Sequence, residues 1–177
     1  AIKFARENNV PFLGICLGMQ LTIIEYVRNV IRLKNSGSSE FGKYKNNIIS
    51  LMTEWNLKNK KIKRSKENDL GATMRLGAYP CFIKKNSLAS KIYRKKMISE
   101  RHRHRYEVNP KFKSIIERGD LIFSGFSKDK KLLEIVENKN HKWFLAVQYH
   151  PELKSKPFKP HPIFLSFIKN SLAHKNV

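Results

Sequence analysis

Negative charge is scarce in this chain: its 177 residues carry 14 Asp and Glu against 36 Lys and Arg, a net charge of +22. Cysteine is scarcer still. Two residues, Cys16 and Cys81, make no disulfide framework, so stability must come from an apolar core, and a lone reactive thiol fits a reducing compartment. No apolar run is long enough to span a membrane, and the N-terminus lacks the layout of a signal peptide. The chain opens on Ala1 in what reads as the middle of a helix, the pattern expected of a fragment of a longer polypeptide. Its length suits one domain that buries roughly 70% of its unfolded surface.

The charge has two readings. A large positive excess is the electrostatic footprint of a nucleic-acid binder. Yet the lysines are scattered through 58–66, 84–85, 91–96, 128–131 and 154–159, not gathered on one platform interleaved with aromatics. A solvated lysine surface is the stronger reading. Weak, salt-sensitive binding of RNA or DNA is expected either way, and a specific nucleic-acid partner is not.

Glycine numbers only eight, and two of them flank Cys16 in Gly14-Ile15-Cys16-Leu17-Gly18-Met19-Gln20. An apolar run, Val10 to Ile15, leads in, and a helix-like run, Leu21 to Leu33, leads out. A reactive residue between glycines at a strand-to-helix turn is a nucleophile elbow. Both glycines are expected to be required by the tightness of the turn. The nearby helix N-terminus is expected to lower the thiol pKa. A buried inert cysteine is the competing reading for Cys16 taken alone.

A second segment, Gln148-Tyr149-His150-Pro151-Glu152, follows the strand-like run Trp143 to Val147. His150 suits a general base and acid near neutral pH, and Glu152 suits the carboxylate that orients the ring. Pro151 ends the strand, which places both side chains at a strand end. Taken without Cys16, a surface His-Pro turn would be the favoured reading. With it, nucleophile, base and orienter are all present.

The remaining pattern is α/β. Helices are expected at 1–9, 19–34, 88–93, 111–118 and 162–173, and strands at 11–15, 48–55, 74–83 (with a break at Pro80), 121–126, 132–137 and 143–149. Polar loops are expected at 35–47 and 56–69. The segment Arg101-His102-Arg103-His104-Arg105, if extended, points its arginines one way and its histidines the other. Phosphate binding, a structural hinge and metal binding compete for it. Metal is the weakest of these, because no Cys or carboxylate cluster stands at zinc spacing. Trp55 and 73–77 suggest only a structural role, with Gly77 supplying a turn.

The elbow and the His-Pro-Glu segment resemble the class I glutamine amidotransferases, in which a Cys-His-Glu triad hydrolyses glutamine. Asn35 to Phe41, Thr73 to Gly77 and Glu100 to Asn109 narrow the likeness to the C-terminal glutaminase domain of the CTP synthases, and the ending from Tyr149 to Pro160 is similar to their eukaryotic branch. Small departures are Ser38-Ser39, Leu153 and the Lys-rich stretch near residue 60. The resemblance implies a single domain over 1–177 with a mainly parallel central sheet flanked by helices, lacking its first strands and a synthetase domain. It implies Cys16, His150 and Glu152 as catalytic residues, glutamine contacts at Leu17, Gly18, Met19, Gln20, Glu40 and Arg105, and a part for Arg103 in the response to GTP. No cofactor or metal is implied within the domain. The complete protein would use ATP and Mg²⁺ with GTP as activator, aminate UTP, assemble as a homotetramer and work in the cytoplasm. The N–H of Leu17 supplies one oxyanion donor. The family's second donor lies on a loop that would precede Ala1. Losing such a donor costs about 100- to 1000-fold, so the isolated chain is expected to be weakly active or inactive. The rivals are the glutaminase domain of another amidotransferase and a basic, noncatalytic nucleic-acid-binding domain.

Overall fold

Strand alternation builds two cores, one on each face of a central sheet. The computed structural model describes residues 1–51 and 74–175. In β9 (Phe144–Val147), Phe144 and Ala146 face one cluster while Leu145 and Val147 face the other. Period-two pointing of side chains requires this division. β1 (Phe12–Ile15) divides likewise, with Phe12 against the first cluster and Leu13 and Ile15 against the second.

On the first face lies α2 (Leu17–Asn29), which buries Met19, Ile23, Ile24, Tyr26 and Val27. These positions repeat at helical spacing and form one stripe. Each such side chain, fully buried, contributes about 1.5–3 kcal/mol. α1 (Ile2–Glu7) is tied to α2 by the Arg6 guanidinium, 2.8 Å from Glu25 Oε1. The same face carries a small sheet of β2 (Ser36–Ser38), β3 (Asn46–Leu51) and β6 (Tyr106–Val108), and the short α4 (Lys113–Ile116). The opposite face is covered by α3 (Leu88–Tyr93) and α5 (Pro162–Lys175). Trp143 Nε1 donates to Ser166 Oγ at 2.9 Å and fastens α5 to the sheet. Ser87 and Ser90 cap α3 reciprocally.

The central sheet also contains β4 (Arg75–Ile83), β5 (Met97–His104), β7 (Leu121–Phe126) and β8 (Leu133–Asn138), in the order β1-β9-β8-β7-β4-β5. The sheet is mixed, which corrects the expectation of mainly parallel strands. Within it only β1 and β9 pair in parallel, and the other adjacencies are antiparallel. The connections β7–β8 and β8–β9 are too short for a parallel crossover.

Several local expectations also change. β4 runs through Pro80, because β7 pairs only with Phe82 and Ile83, so Pro80 faces no ladder on that side. Gly77 lies within β4 opposite His102, at φ +102°, and makes no turn. The 35–47 loop contains β2. Its Gly37 admits no side chain, since a Cβ there would stand 2.5 Å from the Tyr44 ring. The 111–118 helix is a 3-10 turn at Pro110–Phe112 followed by α4. Trp55, Thr73, the 56–69 loop and the end of the expected 48–55 strand lie outside the described residues. No helix among the described residues is long and apolar enough to cross a membrane.

Candidate active site

The one parallel pair of the central sheet sets the site. β1 and β9 run side by side with Ile15 opposite Val147, and the Cys16 N–H donates to Val147 O at 2.8 Å. Both strands therefore deliver their next residues to the same sheet edge. Cys16 stands there at φ 51°, ψ −103°, directly before α2. A residue with a side chain held in that region stores about 1–3 kcal/mol of strain, which the strand and helix on either side must hold.

The two elbow glycines differ in what they do. A Cβ on Gly14 would stand 2.9 Å from Ala146 Cβ and from the Gly18 carbonyl carbon, so Gly14 is required by close packing. A Cβ on Gly18 would meet nothing within 4 Å. The second glycine is thus not required by crowding, contrary to expectation, and it leaves open space beside the thiol.

The thiol itself also departs from expectation. Burial pushes Cys16 up from its ordinary value. The Leu17 N–H and the Gln148 side chain pull it down, the charges of Glu152 and Glu40 push it up again, and the net direction is upward. Desolvation outweighs the helix terminus. A thiol held in this state needs a base. The same influences bring Glu152 and Glu40 into the surroundings of Cys16, although Glu40 lies in the exposed turn after β2.

After Val147 the chain leaves the sheet, and Pro151–Leu153 form a 3-10 turn. The His150 N–H donates to Arg101 O of β5 at 2.8 Å, which fixes the turn against the sheet edge. His150 Nδ1 and Glu152 Oε1 are 2.6 Å apart. His150 Nε2 is buried and has no hydrogen-bond partner among the described residues. A ring whose Nδ1 is paired with a carboxylate presents Nε2 as its working atom.

Gln148 is fully buried and donates from Nε2 to Cys16 Sγ at 3.7 Å. Its Oε1 accepts from Gln20 Nε2 at 3.3 Å, and Gln20 Nε2 also donates to Tyr106 O at 2.8 Å. Neither role was visible in the sequence. A polar residue closing a wholly apolar strand was the available signal. The Met19 side chain lies in the core, so only its main chain faces the elbow. Leu17 is exposed there. Arg103 projects outward from β5, and Arg105 sits at the bend between β5 and β6.

The histidines of β5 face inward, as alternation required. His102 Nδ1 and His104 Nε2 are 2.8 Å apart, and His104 Nδ1 lies 3.2 Å from Tyr106 O. A carbonyl only accepts, so His104 carries its proton on Nδ1 and receives one at Nε2 from His102. Burial, followed by the charge of Arg75, lowers His102 to about 2 and His104 to about 3. Arg75 Nη1 bridges Glu107 Oε1 at 3.1 Å and Glu134 Oε1 at 2.9 Å. Burial raises Glu107 to about 7 and raises Glu134 as well. This cluster is packing and charge pairing. Among the described residues no three His, Cys, Asp or Glu are grouped to hold a metal ion.

A sequence model of the family described as glutamine amidotransferase class-I matches residues 1–170. The chain is 58% identical over 175 residues to a CTP synthase of Pelagibacter ubique, covering 99% of this chain and 32% of that protein. It is 54% identical to a CTP synthase of Zymomonas mobilis, covering 97% of this chain and 32% of that one. It thus spans about a third of the length of these relatives. Both are bacterial, so the eukaryotic likeness of the 149–160 segment does not extend to the chain. Among solved structures, the CTPS glutaminase domain of Trypanosoma brucei with bound acivicin superposes at a TM-score of 0.85 with 35% identity, covering 97% of this chain and 64% of that one. A GMP synthase component of Thermoplasma acidophilum shares the fold at TM-score 0.54 and 17% identity, covering 99% of this chain and 64% of that one.

Proposed function

The chain belongs to the class-I glutamine amidotransferase family, and on that premise we propose that Cys16, His150 and Glu152 are its triad and that L-glutamine is its substrate. One observation carries the reading. The His150 ring is held through Nδ1 by Glu152 at 2.6 Å and keeps Nε2 unpartnered among the described residues, at the sheet edge where Cys16 stands.

The steps follow from those groups. His150 Nε2 takes the thiol proton as Sγ attacks the side-chain amide carbon of glutamine. The amide oxygen becomes an oxyanion, for which the Leu17 N–H is a donor. Collapse breaks the C–N bond, and the proton on His150 passes to the leaving nitrogen, so ammonia departs and a γ-glutamyl thioester remains. Water then gives a proton to His150 and attacks the thioester. Collapse releases glutamate, and the proton returns to sulfur. Glu40 pairs with the α-ammonium of the substrate, and Arg105 holds its α-carboxyl end through its guanidinium or presents a backbone carbonyl. The main chain from Leu17 to Gln20 lines the side-chain amide.

In the whole protein, ammonia from this domain would aminate UTP to CTP on a synthetase domain of the same polypeptide. That domain would use ATP and Mg²⁺ with GTP as activator. Arg103, outward on β5, would help couple GTP binding to ammonia release. The assembled enzyme would be a cytoplasmic homotetramer. The CTP synthase relatives support this reading.

The test is covalent capture. Acivicin added to the 177-residue chain should leave one adduct, on Cys16, by peptide mass spectrometry. L-Glutamine should protect against it, and Cys16→Ala should abolish it. No adduct, or an adduct on Cys81 alone, would overturn the assignment.

A further inference from the structure

We infer that Gln148 is a positioning residue for the nucleophile, its side-chain amide held by Gln20 so that the N–H rather than the oxygen faces Cys16 Sγ. The inference rests on the proposed role of Cys16. A glutamine amide has two faces of opposite polarity, and a sulfur about to become an anion needs the donor face. Gln20 sets the choice. Its Nε2 is fixed on Tyr106 O at 2.8 Å and donates to Gln148 Oε1 at 3.3 Å, so the other end of the Gln148 amide, Nε2, is the end that reaches sulfur at 3.7 Å.

The backbone adds to the constraint. The Gln148 N–H donates to Glu134 O at 2.9 Å, which pins the residue to β8 just past the end of β9. Gln148 is wholly buried and Gln20 nearly so, and no bulk water competes for either amide. A donor aimed at sulfur in such surroundings favours the thiolate over the thiol. It therefore acts against the burial that pushes the Cys16 thiol up. Gln148 need not touch the substrate to do this. Its effect passes through sulfur.

The experiment is the pH dependence of Cys16 alkylation by acivicin, followed by intact mass on the 177-residue chain. Gln148→Met keeps the volume and removes the donor. It should raise the alkylation midpoint by about one to two pH units, the size of one hydrogen bond to a charged acceptor. Gln148→Glu should raise it further, and Gln20→Met, which frees the amide to flip, should raise it by less. A slower reaction with an unchanged midpoint would mean packing alone and would overturn the inference. If wild-type Cys16 is not alkylated at all, the triad reading falls, and this inference with it. If the Gln148 variants do not fold, the side-chain amide signals of Gln148 in the wild-type chain decide by NMR. They should titrate with the Cys16 midpoint and lose that titration in Cys16→Ala. Signals that stay flat through the midpoint would overturn the inference.

Discussion

Two clusters of histidine and carboxylate lie close together in this molecule, and they share the Tyr106 carbonyl, which accepts from Gln20 on one side and His104 on the other. In one, His150 and Glu152 stand at the sheet edge with a ring nitrogen unpartnered among the described residues. In the other, His102 and His104 are sealed beneath β4 and β5 with Arg75, Glu107 and Glu134. The residue types are nearly the same. What separates reactive groups from scaffold is access and an uncommitted lone pair. A ring that donates to one neighbour and accepts from the next, in surroundings that forbid its charged form, has no proton to lend.

The largest effect should come from the open cluster. His150→Asn should slow Cys16 alkylation by about 100- to 10 000-fold, the range of a lost general base, with little change in the thermal midpoint. The comparison breaks if His104→Asn does the same without unfolding the chain.

Next comes the sealed cluster. Arg75→Met leaves Glu107 and Glu134 buried without their cation and should cost about 3–5 kcal/mol in urea unfolding, while the fraction that remains folded keeps its alkylation rate. A loss below about 1 kcal/mol would mean the cluster is no scaffold.

The smallest effect is a slope. His102 and His104 have folded values of about 2 and 3 against an ordinary 6.5. Unfolding therefore takes up protons below 6.5, and stability falls with falling pH. Glu107 acts oppositely. Its folded value of about 7 against an ordinary 4.5 gives stability that is complete below 4.5 and lost as pH rises through 7. The two trends offset each other between 4.5 and 6.5. Below 4.5 the histidines dominate this cluster, at about 1.4 kcal/mol per pH unit each. His102→Phe should flatten the urea-unfolding limb between pH 4.5 and 3 by that slope. An unchanged limb would show that the ring already titrates in the native state.

Much of this was legible in the residues. The inward histidines and outward arginines of β5 follow from alternation alone, and the elbow and the His-Pro-Glu turn follow from Gly14, Cys16 and Pro151. Strand direction was not legible, because β7, β8 and β9 carry the same apolar wording whichever way they run. β2 was hidden because Ser36-Gly37-Ser38 holds no apolar side chain, and its burial depends on Tyr44 packing over it. The thiol pKa was misjudged because a helix terminus is visible in a sequence, whereas burial and the approach of Glu40 and Glu152 exist only in the fold. Gln148 was overlooked for a related reason: its partners, Cys16 and Gln20, are more than a hundred residues away along the chain.

β5 is the last strand of its sheet, and such a margin ordinarily invites strands from other copies. Here the turn bearing His150 lies along it. The His150 N–H bonds to Arg101 O, and Lys154 Nζ donates to Ser99 O. Arg101 and Arg103 add like-charge repulsion between molecules. A lesion that loosens this turn would thus bare an adhesive rim as well as displace the imidazole. It would announce itself first as turbidity on concentration or ageing, so a variant recovered only from inclusion bodies would carry information about catalysis too.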